Sequence, residues 1–163
     1  MMRKGTPVEG LLGFLSEEVI RLDLKARDKP GVIAELVDIL VAAGRLAKED
    51  RDHVVELVQK REQLGSTGIG HGLAIPHVKA CDRVQALVGA FGRSLAGIDY
   101  HAIDGEPCRL FFLMISPQQG SAAQLRVLQK IAGLARNERF VKFLSEARNE
   151  AEVLALLSEV AEG

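Results

Sequence analysis

The chain has 163 residues, 47% hydrophobic and 26% charged, ordinary values for one folded domain with a sizeable core. Its 21 basic and 22 acidic residues leave a formal net charge of -1, so it carries no electrostatic footprint for nucleic acid or an anionic membrane. With no Trp and one Tyr, an aromatic platform for bases or sugars is excluded too.

No apolar run approaches the roughly 18 residues that a membrane-spanning helix needs, so membrane insertion is not expected. The start, Met1-Met2-Arg3-Lys4-Gly5-Thr6-Pro7, is basic but meets Glu9 before any clean hydrophobic stretch, which argues against a secretory signal. Cys81 and Cys108 are too few for a disulfide framework and read as reduced thiols of a cytoplasmic protein.

Residues 1–16 are small and apolar and read as a loose lead-in with a turn of helix near Val8–Leu15; residues 17–163 read as the single domain. From Glu18, Ile20, Leu22 and Leu24 alternate with Arg21 and Asp23, the period of a half-buried strand. Asp28 then caps a helix that tolerates Pro30 in its first turn, buries Val32, Ile33, Leu36, Val37, Ile39 and Leu40, and ends at Gly44. A second helix is expected over Glu49–Gln63, with Val54, Val55, Leu57 and Val58 inward.

After a glycine-rich stretch, Ala86–Phe91 reads as a strand. Arg109–Ile115 is a nearly continuous apolar run suited to a central strand covered on both faces. Gly97–Pro107 is expected to add an edge strand or a turn. Leu125, Leu128, Ile131, Ala132 and Ala135 repeat at helical spacing, and two more amphipathic helices are expected over Glu138–Glu146 and Glu150–Val160. The loose alternation of helices and strands predicts an α/β (α+β) fold, a mixed sheet flanked by helices in one domain.

Chemistry concentrates between Arg61 and His77, where four glycines, Ser66, Thr67, His71 and a terminal Pro76-His77 follow one another. Better-known glycine motifs fail there. A P-loop needs a Lys-Ser or Lys-Thr pair, and none exists. A dinucleotide fingerprint needs glycine at 73 or 75, which are Leu73 and Ile75. A nucleophile elbow needs glycine two residues before Ser66, where Leu64 stands. His71 and His77 lack the helical spacing and the glutamate of a zinc helix, so no metal is expected.

What survives is an anion site beside a histidine. The glycines let N–H groups converge on an anion, Ser66 and Thr67 offer hydroxyl donors, and Arg61 offers a planar fork suited to phosphate. A neutral imidazole supplies one lone-pair nitrogen, and Pro76 stiffens the backbone that presents it. Phosphoryl transfer between nitrogens, or from nitrogen to sulfur, then needs in-line positioning and charge stabilisation, with no cofactor.

The string Arg61-Glu62, Gly65-Ser66-Thr67-Gly68-Ile69-Gly70, Gly72 and Ala74-Ile75-Pro76-His77 resembles the signature of the fructose/mannitol-type enzyme IIA domains of the bacterial sugar phosphotransferase system, its nitrogen-related regulatory members in particular. Ala102-Ile103-Asp104-Gly105-Glu106-Pro107 and the helix from Leu125 to Arg136 fit the same layout. The resemblance implies a phosphotransferase with His77 as the phosphorylated residue. Around it the resemblance sets Arg61, Ser66, Thr67 and Gly68 as phosphate-binding or supporting groups. It further implies a histidine-containing phosphocarrier protein as donor, and an enzyme IIB cysteine as acceptor where one exists. Two departures stand out. Gln124 occupies the position where family members commonly carry a second active-site histidine and is expected to support the site as a hydrogen-bond donor to a phosphoryl oxygen, though it cannot titrate; Val78 follows His77 where many relatives have glycine.

Each residue also has a plainer reading. Arg61 could be a helix C-terminal cation, Ser66 and Thr67 could cap a turn, and Gln124 could fill a helix start. Glu62 reads as structural or solvated, His53, His71 and His101 as surface groups, and Cys81 and Cys108 as ordinary buried or half-buried thiols. The leading expectation is a phosphoryl carrier. The alternative is a regulatory module whose affinity for kinases, transporters or other partners switches on phosphorylation of His77, with little onward transfer.

Overall fold

In the computed structural model, residues 12–161 are described. A single 3-10 turn over Glu17–Val19 leads into β1 (Ile20–Arg21), α1 (Lys29–Ala42), a second 3-10 turn and α2 (Arg51–Gln63). Three short strands follow, β2 (Gly68–Gly70), β3 (Leu73–Ala74) and β4 (His77–Val78). The long pair β5 (Val88–Ile98) and β6 (Cys108–Ile115) and the helices α3 (Ser121–Ala135), α4 (Glu138–Glu146) and α5 (Glu150–Ala161) complete the chain. No helix among the described residues is long and apolar enough to cross a membrane.

The sheet is mixed. β5 and β6 are its antiparallel spine, β1 runs parallel to β5, and β3 and β4 run parallel to β6 along its other edge. Every residue from Leu110 to Ser116 is buried, so helices must cover both faces of β6. Phe91 and Phe112, opposite each other in the register, stack tilted with ring centroids 4.9 Å apart.

Local signals account for most boundaries. The Asp28 side chain accepts the Gly31 N–H at 2.8 Å, and Pro30 sits in the first turn of α1, as the sequence predicts. Asn137 likewise caps α4 through the N–H groups of Arg139 and Phe140. Of the expected lead-in, residues 12–15 form a turn closed by the Leu15 N–H on the Leu12 carbonyl at 3.0 Å, with Leu12 and Leu15 fully buried in the core; Val8–Leu11 of the expected turn lie outside the described residues.

The glycine-rich stretch, expected as a loop, is a hairpin. His71 and Gly72 both have positive φ, 59° and 76°, and join β2 to β3 through a two-residue turn closed by the Gly70–Leu73 pair. β3 and β4 are one interrupted strand. Pro76 has no N–H for the ladder, yet its carbonyl accepts from the Met114 N–H at 3.0 Å, so the chain stays on the edge of β6 and delivers His77 opposite Met114. β5 overruns its expected end at Phe91 and continues to Ile98.

Candidate functional site

His77 is half-buried on β4, at the edge of a cleft of about 520 Å³. Arg61 from the last turn of α2 lines one side. Val78 and Lys79 continue from His77, and Ser121, Ala122, Gln124, Leu125 and Leu128 of α3 form the far wall. Three elements distant in sequence therefore meet at one ring.

The ring's tautomer follows from its backbone neighbour. Nδ1 lies 2.7 Å from the carbonyl oxygen of Ile75, which can only accept, so Nδ1 carries the proton and Nε2 keeps the lone pair. Burial holds the imidazole's pKa below its ordinary 6.5. The Ile75 carbonyl opposes that shift, the Arg61 charge reinforces it, Glu62 opposes and Lys79 reinforces. At neutral pH the ring is uncharged and nucleophilic.

The cleft is electropositive beyond these two cations. α3 starts at its wall with no acidic residue in the first turn, and its N-cap is Gly120, which has no side chain to take up the first N–H groups. Lys79, Ser121 and Ala122 were not singled out in the sequence. Lys79 stands two residues past His77 and was the one legible hint; the approach of the α3 start is a tertiary fact.

The structure brings Arg61 and Gln124 to His77 and turns the other expected groups elsewhere. The Arg61 guanidinium donates to the Gly65 carbonyl at 3.1 Å while lining the cleft. Gln124 is buried, and its side-chain amide donates to the Val78 carbonyl at 2.8 Å, tying the first turn of α3 to β4. Ser66 donates instead to the Tyr100 carbonyl at 2.8 Å and accepts the Gly68 N–H at 3.1 Å. Thr67 gives both its N–H and its hydroxyl to the Glu62 carboxylate.

The expected anion nest over the glycines is thus corrected. The Gly65 N–H donates to the Glu62 carbonyl and the Gly68 N–H to Ser66 Oγ, while Gly70 and Gly72 belong to the hairpin, whose turn sits four registers back along β6 from His77, roughly 13 Å at about 3.3 Å per residue. Gly68 is required for packing: a Cβ there would stand 2.8 Å from the Cβ of Ala102. Ser66, Thr67 and Gly68 build the support of the site, and their donors do not face the ring.

Glu62 is structural, as one of its two plain readings has it, but buried rather than solvated. His53, His71 and His101 are exposed. Cys81 and Cys108 are buried free thiols, and burial pushes Cys108 up to about 12. No cluster of metal-ligating side chains occurs among the described residues.

The family model for the EIIA 2 component of the phosphoenolpyruvate-dependent sugar phosphotransferase system matches residues 13–160. The chain is 34% identical over 146 residues to the fructose-specific EIIABC component of Bacillus subtilis; the match takes in 90% of this chain but 22% of that much longer protein. It is 32% identical over 145 residues to a nitrogen regulatory protein of Bradyrhizobium diazoefficiens, covering 89% of this chain and 92% of the relative. Among solved structures, the nitrogen regulatory protein IIA-Ntr of Neisseria meningitidis superposes with a TM-score of 0.78 at 32% identity, over 86% of this chain and 93% of that one. The family-model match over residues 13–160, with these relatives and this fold, shows that the chain belongs to the EIIA 2 family of the phosphoenolpyruvate-dependent sugar phosphotransferase system.

Proposed function

We propose that this protein accepts a phosphoryl group on Nε2 of His77 from a histidine-containing phosphocarrier protein, in a regulatory, nitrogen-related branch of the phosphotransferase system. The observation that carries this reading is the 2.7 Å contact between Nδ1 and the Ile75 carbonyl, which leaves the Nε2 lone pair as the ring's nucleophile. The Nε2 lone pair attacks phosphorus, and a P–N bond to His77 forms as the donor's P–N bond breaks. The electron pair of the broken bond stays on the donor's imidazole nitrogen. The Nδ1 proton stays where it is, held by Ile75, so the phosphorylated ring carries the positive charge that makes it a competent leaving group for onward transfer.

Arg61, Lys79 and the start of α3 supply positive potential where the phosphoryl oxygens sit. Ser66, Thr67 and Gly68 act at one remove by holding the Arg61 end of the cleft, and Gln124 holds its α3 wall against β4. An enzyme IIB cysteine is the acceptor where transfer continues. This chemistry needs no cofactor and implies a cytoplasmic protein.

A second reading is favoured by Gln124. It does not titrate and its amide is engaged with Val78, so it offers no proton to assist departure of the phosphoryl group. Phosphorylation adds about two negative charges beside Leu125, which is 55% exposed on the cleft wall. A phosphorylation-switched surface for kinases or transporters is the function on that reading. Incubation with phosphorylated cognate phosphocarrier protein tests the core of both: acid-labile label on wild type and none on His77→Ala supports them. Absence of label on wild type overturns them.

A further inference from the structure

Glu62 has a side chain only 3% exposed, and four donor groups converge on its carboxylate. Lys29 Nζ of α1 lies 2.9 Å away, the Tyr100 hydroxyl 3.1 Å, and the Thr67 N–H 3.1 and 3.2 Å from the two oxygens, with the Thr67 hydroxyl as the fourth. Lys29 Nζ also lies 4.3 Å from the centroid of the Tyr100 ring. A buried carboxylate needs such a shell to offset its lost hydration. The shell draws on three segments: the start of α1, the bend after α2, and the stretch before β6.

The bend after α2 is what links this cluster to the cleft. Thr67 is fastened to Glu62, and Gly65, two residues earlier, offers the carbonyl that receives the Arg61 guanidinium at 3.1 Å. The Gly65 N–H in turn donates to the Glu62 carbonyl at 3.1 Å. Arg61 and Glu62 are adjacent on α2, but one lines the His77 cleft and the other points into the core. The closed circuit runs from Glu62 through Thr67 and Gly65 to Arg61.

We propose that Glu62 is a positioning residue for phosphoryl transfer, holding the bend 64–67 so that the Gly65 carbonyl aims the Arg61 guanidinium at the cleft. This rests on the reading of His77 as phosphoryl acceptor. A guanidinium freed from its anchor still carries its charge but samples many rotamers, so the loss falls on the transfer step more than on donor binding.

The test is a double-mutant cycle on phosphorylation by the phosphorylated phosphocarrier protein, with folding checked by thermal melting at the assay temperature. Glu62→Gln keeps the shape and removes the charge; it is expected to lower kcat about 10-fold with KM for the donor within about two-fold. In the Arg61→Ala background the same substitution is expected to have no further effect, because the two act through one group. Multiplicative losses, or an unchanged rate in Glu62→Gln, overturn the proposal. Should Glu62→Gln fail to fold, Tyr100→Phe removes one donor from the same carboxylate and is expected to show a smaller kcat loss with the same dependence on Arg61. NMR relaxation of the Arg61 side-chain Nε–H needs no donor: lost order in the Glu62 or Tyr100 variant supports the circuit, and unchanged order overturns it. An unlabelled wild type with an ordered, Glu62-dependent Arg61 would sink the acceptor reading alone.

Discussion

The Nδ1–H of His77 donates to the carbonyl oxygen of Ile75, two residues back in the link between β3 and β4, at 2.7 Å. Pro76 between them fixes that spacing, since its ring restricts the backbone on which both groups stand. One hydrogen bond thereby selects the tautomer, aims the ring and leaves one nitrogen with a lone pair.

The first consequence is a pH dependence. The folded-state pKa of His77 lies below 6.5, chiefly through burial, with the Arg61 and Lys79 charges adding to it. Between that value and 6.5 the unfolded chain binds more protons at this site than the folded one, so this group's contribution to stability rises with pH across the window and is lost on acidification through it. The phosphorylation rate should be flat near neutrality and fall on an acid limb whose midpoint is below 6.5. Titration of the His77 ring by NMR should show the midpoint rise in Arg61→Ala and, less, in Lys79→Ala. A midpoint at or above 6.5 in wild type contradicts this electrostatic reading.

Gln124 is expected to matter for architecture as well as chemistry. Gln124→Ala removes the amide that joins α3 to the Val78 carbonyl and leaves space in a buried position. It should cost about 1–3 kcal/mol in chemical denaturation. Gln124→His restores a titrating group at the wall and should add a second ionisation to the pH profile of phosphoryl loss from His77. A profile with one ionisation in both proteins would show that the wall does not sense the phosphoryl group.

Gly68→Ala tests the hairpin. Its Cβ would meet the Ala102 Cβ at 2.8 Å and backbone at 2.9 Å, a contact no flexible side chain can relieve. A loss of about 1–3 kcal/mol is expected from overpacking, read by thermal or urea unfolding. Because Gly68 is remote from Nε2, the folded fraction should still take label on His77.

Much of the frame was legible because local chemistry wrote it. Asp28 and Gly44 bracket α1, the apolar run 109–115 gives β6, and the expected Glu138–Glu146 helix coincides with α4. The hairpin is not legible in the sequence because β2 and β3 span three and two residues, too short to show a period, and because glycines that permit a nest equally permit a two-residue turn. The expected strand stops at Phe91, whereas β5 runs on through Gly92 and Arg93 to Ile98. Arg93 is buried, and its guanidinium donates to the carbonyls of Leu22, Leu144, Ser145 and Ala147, every one of them more than fifty residues away. That Arg61 and His77 line one cleft agrees with the expectation drawn from the chemistry of the stretch 61–77 and its family resemblance. That Ser66 and Thr67 face Tyr100 and Glu62 is not legible in the sequence, because nothing local says which way a hydroxyl turns.

The most direct measurement is NMR of the imidazole nitrogens in protein labelled with ¹⁵N and phosphorylated by its phosphocarrier protein. The expected spectrum has phosphorus bonded to Nε2 of His77, with the Nδ1 proton retained and hydrogen-bonded. Phosphorus on Nδ1, or on any residue other than His77, would contradict the assignment that the Ile75 carbonyl imposes.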